Sequence, residues 1–362
     1  MLQNRRPVPT VWCFFASAYS IYWLDIIEEH IERLNVSEVF EKSVIFILVG
    51  FLFITILSNW WIFAMKKYFE NIFDTFKEVD DELEALKVPM NYRTHKMITF
   101  ILIVTIKALV ATNVLISYQI LMAYKCHLLF WCAFLGTVVI YMESSIFTVY
   151  HYTFFMWSVK VRYENINLYV KRNFIDVKNK NERIGNENLH KIAVLHDKLV
   201  DVSEWLNRCY GVPILMHTAV NFGYITLSTF SVFKVWLALG TQAIMIGLNT
   251  LIWGGLYAFM IYCIVHMGHF TKKEALTTAN LLHKISNIDT LDLFGKKILM
   301  FSQQLMHRVP IFSCGLFAFD LSLAFKMISA IAIYVTILVQ FEITEDADAF
   351  AFRNNFTLFN RN

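Results

Sequence analysis

Ser313-Cys314-Gly315-Leu316-Phe317 opens an apolar run that continues from Ala318 to Val339 and closes on Gln340-Phe341. Between Ala318 and Phe341 the only formal charges are Asp320 and Lys326, and acidic residues crowd in directly afterwards as Glu342, Glu345, Asp346 and Asp348. A helix crossing a ~30 Å hydrocarbon layer needs ~20 apolar residues at 1.5 Å per residue, so this stretch is long enough to span a bilayer. If it does span, the rest of the chain must be read with lipid as its solvent.

The composition demands that reading. Of 362 residues, 57% are hydrophobic, 16% aromatic and only 17% charged, against roughly 25% charge in an ordinary soluble domain. One soluble core cannot absorb so much apolar surface. Seven apolar runs bounded by charge can be marked, at about 8–24, 43–65, 97–122, 127–159, 210–233, 235–266 and 311–341. The fold class is therefore all-α, a polytopic membrane protein with seven transmembrane helices. The first run admits a second reading, because Arg5 and Arg6, an apolar core and Ala16-Ser17-Ala18 resemble a cleavable signal peptide. Two prolines in its core and apolar continuation to Leu24 favour a retained span.

Basic residues set the orientation. With the N-terminus in the cytoplasm, the inner segments (before 7, 66–96, 160–209 and 267–310) hold 24 of the 32 lysines and arginines, and the outer segments hold 6. The positive-inside rule thus places the N-terminus in the cytoplasm and the C-terminus outside. The sequons Asn35-Val36-Ser37 and Asn355-Phe356-Thr357 both fall on segments assigned to the outside, making Asn35 and Asn355 candidate glycosylation sites. A net charge of +3 spread over separate loops gives no basic patch and no nucleic-acid partner.

The outer connections near 123–126 and 234 are very short, so any ligand must be small and enter between helices. The inner loops carry amphipathic seams: Phe69, Ile72, Phe76, Val79, Leu83 and Leu86, then Ile192, Leu195, Leu199, Val202 and Leu206. Such spacing buries one helix face, whether locally or against another subunit. The fourth and sixth runs exceed 30 residues, about 45 Å of helix, so their inner ends should project beyond the membrane and join the seams.

Catalytic patterns are missing: there is no P-loop, GxSxG or HExxH, and the six cysteines form no CxxC pair. We expect no enzyme, no cofactor and no metal site. His266 and His269 share a helical face but have no third ligand nearby in sequence and read as interfacial residues; His151 and His217 read as hydrogen-bonded packing residues. Lys107 lies 16 residues before Ala123, and Glu143 lies 16 residues after His127. In an antiparallel hairpin both sit ~24 Å below the outer end, which predicts an ion pair, either structural or the floor of a cleft. A cleft in the outer halves of the spans would draw on Asn113, Tyr118, Gln119, Trp131, Tyr224, Thr226, Gln242 and Asn249. Each of these alone reads as an interhelical hydrogen bond or an interfacial aromatic.

Tyr334, five apolar or threonine residues, then Gln340 and Phe341 resemble the carboxy-terminal signature of the insect gustatory receptors, Thr-Tyr-(five residues)-Gln-Phe, with Ile333 standing where the family has threonine. Cys314-Gly315-Leu316-Phe317 and Asp320 resemble that family's lead-in to its last helix. The resemblance implies a tetrameric, ligand-gated, non-selective cation channel at the plasma membrane of a sensory-neuron dendrite. It would open to a small-molecule tastant and pass monovalent cations, with divalent ones left open, as a homotetramer or with other gustatory receptors. Residues 1–310 would form the ligand-binding membrane domain with its anchor helices, 311–341 the pore-lining helix and 342–362 an extracellular tail. Carried over, Phe341 would be the hydrophobic constriction, Gln340 an amide on the ion path and Tyr334 a brace. Glu342, Glu345 and Asp346 would concentrate cations at the mouth, or form an acidic disordered tail. Ile333 cannot hydrogen-bond as threonine would, and Lys326 should face a neighbour or snorkel inward rather than meet the ions. The alternative class is a polytopic transporter or a non-conducting chemoreceptor subunit needing a co-receptor.

Overall fold

In a computed structural model, the chain is described at Ala18 and over residues 38–88, 90–123, 128–175, 182–238, 241–288 and 293–359. The first predicted span and Asn35 lie outside the described residues. Among the described residues from Glu38 onward, eight helices follow in order: α1 Glu38–Ala64, α2 Lys66–Ala85, α3 Tyr92–Ala123, α4 Leu128–Val170, α5 Glu182–Ala238, α6 Thr241–Ile288, α7 Leu293–His307 and α8 Leu321–Phe359, with a short π-helical turn, Lys171–Ile175, closing α4. The described residues contain no strand, only an isolated antiparallel bridge between Ser313 and Ala318. Among the described residues, four stretches are long and apolar enough to cross a membrane: Phe46–Ala64, Thr99–Gln119, Gly247–Lys284 and Leu321–Thr344. Residues 128–159 of the fourth run lie within α4, and the run 210–233 lies within α5.

Three long helices form the frame. At 43, 57 and 48 residues, α4, α5 and α6 are each well over 60 Å long at 1.5 Å per residue, twice the hydrocarbon thickness. They pack on one another along their length, α1 leans on α4 and α5, and α7 lies along α6. The helix α5 runs unbroken through Pro213, although proline supplies no N–H to the carbonyl of Cys209. Both amphipathic seams are consumed inside the chain. Ile72, Phe76, Val79 and Leu83 of α2 and Ile192, Leu195, Leu199, Val202 and Leu206 of α5 are buried, and α2 packs against α5. Local packing therefore accounts for those seams.

Two boundaries differ from the sequence reading. The last helix begins at Leu321, not at 311, because 309–320 fold into a tight hairpin with Gly315 at φ +89°. Asp320 caps the helix by accepting the Leu323 N–H at 3.1 Å. At its other end α8 does not stop at Phe341 but runs to Phe359, since 342–359 holds no proline or glycine to break it. Helices α3 and α8 are the loosely held members. Only 12% of the α3 apolar window is buried and none of the α8 window, and among the described residues α8 rests mainly on α5 and α6.

Candidate functional site

Four helices each send one ring into the middle of the bundle. Phe51 of α1 stacks on Tyr141 of α4 with centroids 3.8 Å apart, and Tyr224 of α5 meets Tyr257 of α6 edge-on at 4.8 Å. Tyr257 also lies 5.9 Å from Tyr141 and 6.1 Å from Phe51. The edge-on contact of Tyr224 with Tyr257 suits the ring quadrupoles, and with the Phe51–Tyr141 stack the box joins the four helices. One to two turns inward, the His217 ring is held on both sides, Nε2 at 3.1 Å from Ser58 Oγ and Nδ1 at 2.8 Å from Ser145 Oγ. Tyr141 donates its hydroxyl to Asn221 Oδ1 at 2.8 Å. A neutral imidazole needs one donor and one acceptor, and a hydroxyl can be either, so this buried network closes on itself.

A second polar group ties α3 to α6. Ser117 Oγ lies 3.0 Å from Asn249 Oδ1 and accepts the Trp253 indole N–H at 3.2 Å. One turn inward, Asn113 is buried, yet neither its side-chain nitrogen nor its oxygen has a partner; the buried Tyr257 hydroxyl is likewise unpaired. A further turn inward is a cavity of about 60 Å³ between α3, α4 and α6, walled by residues that include Val110, Met142, Leu256 and Met260. Lys107 and Glu143 are joined as an ion pair across α3 and α4 beside this cavity, each about half exposed on the outer face of the bundle.

The sequence-derived cleft residues divide into three groups. Asn249 and Tyr224 belong to these two clusters, and Asn113 lies one turn inward of Ser117. Tyr118 and Gln119 face outward, and Thr226 turns back to bond the Phe222 carbonyl of its own helix at 2.9 Å. The side chains of Trp131 and Gln242 lie outside the described residues. Phe51, Tyr141, Ser145, Asn221, Trp253 and Tyr257 were missed, because nothing in one helix's spacing signals a partner on another. His266 and His269 pack on aromatic rings, those of Tyr262 and Phe270 for the first and of Phe270 for the second.

At the far end of the chain, α8 presents Lys326, Ile333, Gln340 and Phe341 exposed, the last at 61%. Tyr334 touches Phe222 of α5 ring to ring at 6.0 Å. Glu342 is half-buried, while the side chains of Glu345, Asp346 and Asn355 lie outside the described residues on a helical backbone. The hairpin before α8 is seated firmly. Asn207 donates to the Ile311 carbonyl at 2.6 Å and accepts the Ser313 N–H at 3.1 Å, while Phe312 and Phe319 rest edge-on against Tyr152. This seat ties α5 to the root of α8. A larger open cleft of about 700 Å³ lies between α5 and α7, walled in part by His196, Asp197, Met300 and Arg308. It is remote from the span clusters and belongs to the end that the charge count assigns to the cytoplasm.

The profile of the family described as 7tm chemosensory receptor matches residues 4–345. Two relatives from Drosophila melanogaster align with part of the chain: putative gustatory receptor 28a, 27% identical over 168 residues, and gustatory and pheromone receptor 33a, 26% identical over 177 residues. These alignments cover 44% and 45% of this chain, and the chain spans 37% of the length of each relative. The insect olfactory receptor OR5 from Machilis hrabei superposes with a TM-score of 0.66 over 94% of this chain and 93% of that one, at 9% identity. Its complex with eugenol gives 0.63 over 94% and 92%, also at 9% identity. At that identity the likeness is one of fold.

Proposed function

The chain belongs to the 7tm chemosensory receptor family, and from that premise we propose that it is a gustatory receptor acting as a tetrameric, ligand-gated, non-selective cation channel opened by a small-molecule tastant at the plasma membrane of a sensory neuron. The observation that carries this reading is α8. A predominantly apolar 24-residue span of which nothing is buried within its own chain has no reason to be so unless lipid, other subunits or a lumen cover it. Four copies around an axis would bring Phe341 into a ring that blocks ions by dewetting and Gln340 into a neutral polar ring that does not trap them. Acidic residues from 342 onward would then draw cations to the outer mouth. The open α5–α7 cleft and the exposed Met300 and Met306 offer a contact surface for neighbouring subunits at the cytoplasmic end. The aromatic box and the α3–α4–α6 cavity are where a ligand would act, and the Asn207 seat is the path by which movement of α5 would reach the gate.

The test is whole-cell recording from cells expressing this chain alone, with Phe341→Ala beside the natural sequence. Removing the constriction should give a constitutive cation current in the absence of any ligand. Silence of Phe341→Ala with intact surface expression would support instead a non-conducting subunit that needs a co-receptor.

A further inference from the structure

We infer that the cavity between α3, α4 and α6 receives a neutral amphiphile, a compact apolar body carrying one hydrogen-bonding head such as an alcohol or carbonyl, and not a sugar or an ammonium ion. The inference rests on the proposed reading of this region as the ligand cleft and names the chemistry that fits it. The head group is dictated by Asn113. It is 2% exposed, and its amide presents two donors and an acceptor, none of them used. Buried polar groups are almost always paired, and an unpaired amide among apolar walls is a cost that a bound polar atom would remove.

Helix register places that amide at the edge of the cavity. The antiparallel helices α3 and α6 meet at Ser117 with Asn249 and Trp253, and again one to two turns inward where Val110 faces the same cavity as Leu256 and Met260. Asn113 falls between those two levels on α3. A ligand with its body against Val110, Met142 and Met260 therefore carries its head toward Asn113.

The same walls reject other classes. Lys107 and Glu143, next in the chain to the lining residues Ile106 and Met142, are paired with each other, so a cation would shed its hydration and find no free counter-charge. A sugar brings many hydroxyls to a wall whose polar side chains are Tyr150, Cys263 and Thr153, the last already bonded to carbonyls of its own helix, with the Asn113 amide at the rim. A cavity of about 60 Å³ is small, but its α3 wall is only 12% buried along the apolar window, and Met142 and Met260 are unbranched and adaptable. Opening the cavity therefore needs α3 to shift and leaves the α4–α5–α6 frame in place.

The test uses the full chain in lipid nanodiscs and the photoactivatable alcohol 3-azioctanol, with adducts located by peptide mass spectrometry. We expect saturable adducts within residues 106–113, 142–153 and 256–263, displaced by excess 1-octanol but not by octylammonium or sucrose. Asn113→Leu, equal in shape but without the amide, should lower labelling about tenfold, the loss of roughly one hydrogen bond. If that variant fails to fold, competition on the natural sequence decides alone. Adducts elsewhere, or displacement by octylammonium or sucrose as effective as by 1-octanol, would overturn the inference. Saturable labelling at these residues without any current from Phe341→Ala removes the channel reading and leaves this one. A current evoked by sucrose with no labelling here removes this one and leaves the channel.

Discussion

Arg162 of α4 grips the carboxylate of Asp80 on α2 with two parallel bonds, Nε to Oδ1 at 2.9 Å and Nη2 to Oδ2 at 2.6 Å. The guanidinium lies 3.9 Å above the Phe76 ring and also bonds the Ser158 carbonyl, and the Tyr92 hydroxyl donates to the same carboxylate. Burial and then Asp80 push the Tyr92 phenol up to about 12, so it remains a donor at any physiological pH. The fork thus fastens three elements, α2, α4 and the start of α3, at the inner end of the bundle.

With side chains only 5% and 12% exposed, this pair cannot lose one partner cheaply. Arg162→Leu should destabilise the protein by about 3–5 kcal/mol, because Asp80 is left charged and buried. The double change Arg162→Leu with Asp80→Leu should recover most of that loss. Thermal unfolding in detergent, read by monodispersity, distinguishes the two; a double variant no better than Arg162→Leu would remove the pairing argument.

Glycine at 268 is required by the hairpin that roots α8. A Cβ there would stand 2.4 Å from the Phe319 carbonyl oxygen, whereas one at Gly211 would stand at an ordinary 3.6 Å from the Cys314 Cα. Gly268→Ala should cost about 1–3 kcal/mol by overpacking against backbone, and Gly211→Ala should change stability by less than about 0.5 kcal/mol. The contrast between the two melting temperatures is the measurement, and equal shifts would show that the hairpin gives way.

Acid should weaken the inner end of the bundle through His196. Burial, the largest cause, holds its pKa at about 4 against 6.5 for a free imidazole, with Tyr163 edge-on at 4.9 Å. Between about pH 6.5 and 4 the unfolded chain binds a proton that the folded chain refuses, so stability falls as pH drops through that window and is complete above it. The full effect is about 3 kcal/mol. Asp201 works in the opposite sense, since burial raises its carboxyl above the usual range, so the comparison with His196→Phe isolates the imidazole. A melting temperature that declines from pH 7 to pH 5, and declines less in His196→Phe, is the expected result.

Much of the fold was legible because lipid imposes simple rules. Runs of ~20 apolar residues, basic loops and heptad seams marked the helices, and even the inner extensions of α4 and α6 followed from run length alone. Boundaries set by single residues were not legible. Gly315 and Asp320 end the hairpin and start α8 ten residues later than hydropathy suggested, since Leu316, Phe317 and Phe319 are as apolar as the helix they precede. The site was legible only where a residue type is rare in a span. Asn113 and Asn249 stand out as amides among aliphatics, whereas Phe51, Tyr141 and Tyr257 are lost in a chain with 33 phenylalanines and 16 tyrosines. Their meeting depends on how four helices pack, and period along one helix carries no trace of it.

The ion pair of Lys107 with Glu143 lies where α3 is least secured, since α3 makes only slight contact with α4. An unpaired charge deep in a span costs about 2.5–3.5 kcal/mol on insertion, and the pair spares the chain that cost at both positions. Glu143→Gln alone leaves the ammonium without a counter-charge and should reduce surface expression to about a tenth or less. Lys107→Met alone strands the carboxylate and should do the same. Combining them removes both charges and should return surface expression to within about twofold of the natural sequence, because no buried charge remains to be compensated. Surface biotinylation of the four forms measures this directly. If the double variant is no better than the worse single one, the two side chains are held apart in the membrane, and α3 is secured to α4 by the apolar contacts around Val110 and Met142 alone.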